Sequence, residues 1–178
     1  MHHEAGWKRG YVQVYTGDGK GKTTAALGLA LRAAGAGLPV YLTQFCKGQD
    51  SSEHEALKRF SDLITFSHSG SRSFIMAAPT TEDIAQAQEN LVALQHALIS
   101  GNYRLVIADE LNVAVDLGLV TVDEALELIE ARPEHVELVL TGRNAPPEIV
   151  MRADLVTEML AVKHPYREGV KARKGIEY

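Results

Sequence analysis

The chain has 178 residues, 46% of them hydrophobic and 23% charged, with a formal net charge of -5. That is an ordinary globular composition at a length that suits one domain, residues 1–178, with a sizeable core. The acidic balance argues against a general nucleic-acid binder, Cys46 as the lone cysteine excludes an internal disulfide, and no 18-residue apolar run offers a membrane span. With no signal-like segment in Met1 to Gly10, the expected location is the cytoplasm, a reducing compartment.

The strongest local signal comes first. Tyr11, Val12, Val14 and Tyr15 form an apolar, β-branched run that ends in Gly17, Gly19 and Gly21. Lys22, Thr23 and Thr24 follow, and then the Ala/Leu-rich stretch Ala25 to Ala34. This reads as strand, glycine-rich turn and helix, with a lysine and a hydroxyl at the helix start. Such a turn turns backbone N–H groups toward one point, and the helix dipole adds partial positive charge there. A bound triphosphate would meet Lys22 as a point charge, and Thr23 suits a magnesium ion. The spacing departs from the standard phosphate-binding loop. Only three residues separate Gly17 from Gly21, and Thr16 stands where the first glycine is usual.

Gly35, Gly37 and Pro39 then turn the chain into residues 39–45, PVYLTQF, a strand apolar enough to be covered on both faces. Glu55 to Phe60 reads as a short helix and Leu63 to Phe66 as a strand. Residues 67–79 fit neither period: they are Ser- and Gly-rich but hold the apolar trio Phe74, Ile75 and Met76. Two roles suit that trio, plugging a gap in the core or facing a substrate. Thr80 or Thr81 caps a long helix with Glu82 and Asp83 in its first turn. Ile84, Ala87, Leu91, Leu94 and Leu98 recur on it at helical spacing as one buried stripe.

Residues 104–111, RLVIADEL, read as an apolar strand closing on Asp109 and Glu110. Acidic residues at a strand's carboxyl end stand where a second metal-organising motif lies beside a phosphate loop; they equally suit the first turn of a following helix. Thr121 and Glu124 form a capping box for a helix through Ala131. Residues 135–141 form another strand, with Gly142 and Arg143 just past its end, where ligands collect in open parallel sheets. Pro146 and Pro147 suit the first turn of a short helix, and Asp154 to Leu160 a last strand. The seven histidines lack metal-ligand spacing. Strands alternating with helices imply an α/β fold, a mainly parallel sheet with right-handed crossovers and helices on both faces, and a nucleotide lying across its carboxyl edge.

The segments GDGKGKTTAA, QFCKG, VIADEL, TGRNAP and ADLVTEM, with the ending KHPYREGVKARKGIEY, resemble the P-loop family of ATP:corrinoid adenosyltransferases over nearly the whole chain. The short glycine loop and the ending are marks of that family. The resemblance implies a single-domain P-loop NTPase-like fold and transfer of the 5′-deoxyadenosyl group of ATP to the cobalt(I) of a corrinoid, releasing triphosphate. It implies that ATP lies reversed in the loop, with Gly17, Asp18, Gly19, Lys20, Gly21, Lys22, Thr23 and Thr24 on the triphosphate. Arg143 then lies near the nucleotide and is a catalytic candidate with Lys22, while Lys20, Lys22 and the metal supply charge for the departing triphosphate. Thr23 and Glu110 hold Mg2+ or Mn2+, with Asp109 ranked behind Glu110. Phe74, Ile75 and Met76 are the candidates for the corrinoid face.

The partners so implied are ATP, a reduced corrinoid, a reductase or flavoprotein as reductant and a second copy in a homodimer, with no nucleic acid and no membrane. Cobalt(I) is already a strong nucleophile, so no Ser, Cys or His need be activated as one. Two other functions compete: a P-loop kinase or ATPase that cleaves the γ-phosphate, and an ATP-dependent regulatory module.

Overall fold

The computed structural model describes residues 8–46, 51–68 and 78–178. Six strands form one sheet in which every pairing is parallel. They are β1 (Val12–Thr16), β2 (Val40–Gln44), β3 (Ile64–His68), β4 (Leu105–Asp109), β5 (Glu137–Thr141) and β6 (Leu155–Glu158), in the order β3-β2-β4-β5-β1-β6. The helices are α1 (Lys22–Gly35), α2 (Ser52–Leu57), α3 (Thr81–Ile99), α4 (Leu111–Asp116), α5 (Val122–Glu130) and α6 (Pro147–Arg152).

The period-2 pattern of the strands sorts their side chains onto two faces. Val40, Leu42, Ile64, Leu105, Ile107 and Val139 meet Ala26, Ala30, Ala33 and Ala34 of α1 and Leu57 of α2. Val12, Val14, Tyr41, Val106, Ala108, Leu138 and Leu140 pack on the opposite side against α3, α4, α5 and Ile149 of α6. The alanine stripe lets α1 lie close to the sheet, and helices on both faces explain why β2 and β4 are buried throughout. Because α1 leaves β1 on one face while the helices after β4 and β5 cover the other, a crevice opens at the carboxyl edge beside β1.

Local signals place most boundaries. Thr80 and Asp83 close a reciprocal cap on α3, as Thr121 and Glu124 do on α5, and Pro147 opens α6. Three expectations change. The apolar run 104–111 is not all strand: it ends at Asp109, Glu110 takes the left-handed conformation at φ 61°, and α4 starts at Leu111. Ile84 is exposed, so the buried stripe of α3 runs from Ala87 through Leu91 and Leu94 to Leu98. The helix expected over residues 55–60 begins earlier, at Ser52, and ends in a 3-10 turn over Lys58–Phe60.

Candidate active site

The glycine loop crosses from β1 to α1 against the end of β6. Gly19 N–H donates to the carbonyl of Met159 (2.6 Å), and Met159 N–H donates to that of Thr16 (2.9 Å). A Cβ on Gly19 would stand 2.6 Å from the Met159 oxygen and 2.7 Å from the Leu160 carbonyl carbon. Only glycine lets the loop lie this close. Gly21 caps α1 at φ 127° with no side-chain hydrogen bond, and no acidic residue occupies the first turn. The opening amides of this 14-residue helix therefore face the crevice without a capping side chain, an arrangement suited to an anion. Gly19's amide is not among them, since Met159 takes it.

Lys22 Nζ bends over the loop and donates to the carbonyls of Gly17 (2.6 Å) and Gly19 (2.8 Å). Burial lowers its pKa from the ordinary lysine value, and the Arg143 charge lowers it further against the opposing pull of Asp18, Glu110 and Asp109. Two cations thus share one side of the crevice. Arg143 lies 4.0 Å from the Asp18 carboxylate, but both side chains are largely exposed and the pair contributes little on its own. Lys20 is tied to the closing segment of the cavity: its Nζ donates to the Ile176 carbonyl (2.7 Å) and pairs with Glu177 (3.1 Å). Hydrogen bonds from Arg173, and then from Lys20, hold the Glu177 carboxyl down at about 2.

Behind the loop the ends of β2, β4 and β5 carry a buried polar cluster. Thr23 Oγ1 donates to Asp109 Oδ1 (3.0 Å), and Thr141 Oγ1 donates to the same oxygen (2.6 Å). Gln44 Nε2 donates to Asp109 Oδ2 (2.8 Å). Glu110 N–H donates to Thr141 Oγ1 (2.9 Å), which anchors the left-handed residue that separates strand from helix. A non-glycine residue in that conformation is sparsely populated and marks a position the surroundings specify. Asp109 is thus the carboxylate that touches Thr23, whereas Glu110 lies on the wall of the cavity.

That cavity has a volume of 790 Å³. Residues 18–24 line it together with Glu110, Thr141, Gly142 and Arg143, with residues of α2 and α4, and with His164 and residues 175–178. The structure therefore brings together the expected loop residues from Asp18 onward with Glu110 and Arg143. Gly17 stands just behind, at φ 92°, with its carbonyl on Lys22. Phe74, Ile75 and Met76 lie outside the described residues. The sequence analysis assigned no site role to Gln44, Thr141, His54 or the closing segment 175–178, although Gln44 opens QFCKG and Thr141 opens TGRNAP. Only the unusual ending of the chain hinted at the last of these.

Cys46 also lines the cavity, but burial, with the nearby Glu110, Asp109 and Asp83 charges, pushes its thiol up to about 12. It is therefore no thiolate at neutral pH. No group of three or more His, Cys, Asp or Glu side chains among the described residues makes a metal cage. A hydroxyl at the loop beside a carboxylate fits magnesium instead, which keeps several waters and shares its shell with substrate phosphates.

The sequence from residue 8 to 178 matches the model of the family described as ATP:corrinoid adenosyltransferase BtuR/CobO/CobP. The chain belongs to this family. Its relatives include the corrinoid adenosyltransferase of Pseudomonas aeruginosa, 38% identical over 96% of this chain and 85% of the relative. Those of Escherichia coli K12 (35%; 96% and 87%) and of a Sinorhizobium species (34%; 96% and 81%) are similar over comparable lengths. Family membership agrees with the all-parallel sheet and with the glycine loop at its carboxyl edge. No helix among the described residues is long and apolar enough to cross a membrane.

Proposed function

We propose that this chain transfers the 5′-deoxyadenosyl group of ATP to the cobalt(I) of a corrinoid. The electron pair on cobalt forms the bond to C5′, and the C5′–O pair leaves with triphosphate. The observation that carries this reading is one cavity in which Lys22, Thr23, Glu110 and Arg143 converge, with no activated nucleophile among the described residues that line it. The one thiol on its wall stays protonated. Such a lining suits a reaction whose attacking group comes with the substrate, as cobalt(I) does.

The protein's share of the work is alignment and charge. The free amides at the start of α1 and the Lys22 ammonium are placed to receive the triphosphate, whose charge grows as C5′–O breaks. Arg143, which lines the same cavity, adds a second cation close enough to Lys22 to act on its charge. Thr23 and Glu110 would hold a magnesium ion, which supplies charge neutralisation on the phosphate oxygens. Asp109 sits behind them: by accepting the Thr23 proton it leaves that hydroxyl's lone pairs free for a cation. Formation of cobalt(I) requires an external electron donor, for which a reductase or flavoprotein is the expected class. A homodimer remains part of the reading, supported by the exposed Leu155 and Val156 on the edge strand β6.

The deciding experiment incubates the protein with ATP and a chemically reduced corrinoid. One triphosphate should appear per light-sensitive cobalt–carbon product. ADP and phosphate formed equally fast without corrinoid would replace this reading with a γ-phosphate-cleaving ATPase, which family membership does not favour.

A further inference from the structure

A chain of hydrogen bonds runs inward from the magnesium-side hydroxyl to a buried histidine that no sequence motif contains. Its direction can be worked out from one end. A carboxylate only accepts, so Thr23 and Thr141 both donate to Asp109 Oδ1, and Gln44 presents its amide nitrogen to Oδ2. Gln44 Oε1 must then face away, toward His54 Nε2 at 2.7 Å. That contact closes only if His54 carries its proton on Nε2. Its other nitrogen, Nδ1, accepts from Ser51 N–H at 3.4 Å, as an unprotonated Nδ1 must. The ring is further fixed against Phe66, with centroids 4.7 Å apart.

The inner members of this chain are buried, Gln44 and Asp109 being 1% exposed and His54 6% exposed, while Thr23 at its outer end is half-buried. The chain therefore has one polarity. Rotating the Gln44 amide would set its oxygen against the Asp109 carboxylate and its nitrogen against the His54 N–H. Neither conflict is relieved by water at a site this buried.

We propose that His54, acting through Gln44, is a positioning residue for the reaction: it locks the Gln44 amide so that Asp109 holds the Thr23 hydroxyl in the orientation that receives the magnesium–triphosphate. This rests on the assignment of Thr23 to the metal side of the site under the adenosyltransferase reading. His54 touches neither substrate nor metal.

Two isosteres separate this role from that of a cap on α2. In His54→Gln the amide nitrogen reaches where Nε2 stands, so the link to Gln44 survives and the acceptor for Ser51 N–H is lost. In His54→Asn the carbonyl oxygen replaces Nδ1, so the cap survives and the link is lost. The measurement is calorimetric ATP binding without corrinoid, in saturating magnesium and in excess EDTA; the ratio of the two Kd values gives the magnesium coupling. His54→Asn should lower that ratio about tenfold, the equivalent of one lost buried hydrogen bond. His54→Gln should stay within about twofold of wild type.

Should His54→Asn not fold, Gln44→Met is the second variant, similar in volume and lacking both amide ends. It should lose the coupling as well, and adding His54→Gln to it should change the ratio no further. Unchanged coupling in His54→Asn or Gln44→Met, a larger loss in His54→Gln than in His54→Asn, or no magnesium coupling in the wild type would each overturn the proposal. Adenosyl transfer is scored separately on the wild type. Its absence alongside the expected coupling pattern would sink the adenosyltransferase reading and leave the positioning role standing.

Discussion

Two glycine-to-alanine changes in the first 28 residues should move stability in opposite directions. At Gly19 a new Cβ would meet three backbone atoms of Met159 and Leu160 at 2.6–2.7 Å, where ordinary contact begins at 3.4 Å. Backbone cannot swing aside as a side-chain tip can, so the glycine loop and the end of β6 must part by most of an ångström. That also breaks the 2.6 Å bond from Gly19 N–H to Met159. Overpacking of this kind costs about 1–3 kcal/mol and the lost hydrogen bond about 1, so Gly19→Ala should destabilise by roughly 2–4 kcal/mol. For a chain of this length that lowers Tm by about 5–15 °C.

Gly28, on the exposed side of α1, meets nothing within 4 Å. There alanine removes backbone freedom from the unfolded chain and should add about 0.5–1 kcal/mol, raising Tm by roughly 1–4 °C. Thermal unfolding followed by circular dichroism reads both variants, and calorimetry should show ATP affinity falling only in Gly19→Ala. A Gly19→Ala protein at least as stable as Gly28→Ala would refute the packing of the glycine loop on the end of β6.

The remaining expectations concern the site. Lys22→Ala should lower turnover at saturating ATP by about 10²–10³-fold, the cost of one preorganised charge donor; an unchanged rate would remove Lys22 from that role. Glu110→Gln and Thr23→Ala should each raise the magnesium concentration needed for half-maximal activity, and titrations superimposable on wild type would break the ligand assignment. With its thiol at about 12, Cys46 in the folded protein should react with iodoacetamide at pH 8 on the order of 10²–10³-fold more slowly than after unfolding in urea. The same shift fixes a sign: burial favours the neutral thiol, so its contribution to stability is complete below about pH 9 and is lost as pH rises toward 12. Alkylation at equal rates before and after unfolding would contradict the burial of that sulfur.

The strand, glycine turn and helix at residues 11–35 were legible in the sequence, because the hydrophobic period changes within a few residues and only glycine suits the positive φ of positions 17 and 21. The caps of α3 and α5 were equally legible, since a Thr and an acidic residue three positions on satisfy each other locally. So was the alternation that makes the sheet parallel. The break between β4 and α4 was not: Leu105 to Leu111 is apolar enough to continue a strand, and what stops it is the tie of Glu110 N–H to Thr141 on the next strand.

The site divides the same way. Lys22, Thr23, Glu110 and Arg143 announce themselves by residue type at the ends of recognisable elements. Gln44 and Asp109 meet across 65 residues, and Lys20 meets Ile176 across 156. Periodicity, caps and turns are set by neighbours within a few positions, so a sequence displays them openly. Which strand lies beside which is settled by the packing of the whole chain. Only when the order β3-β2-β4-β5-β1-β6 is in place do Gln44, Asp109 and Thr141 come to one edge behind Thr23.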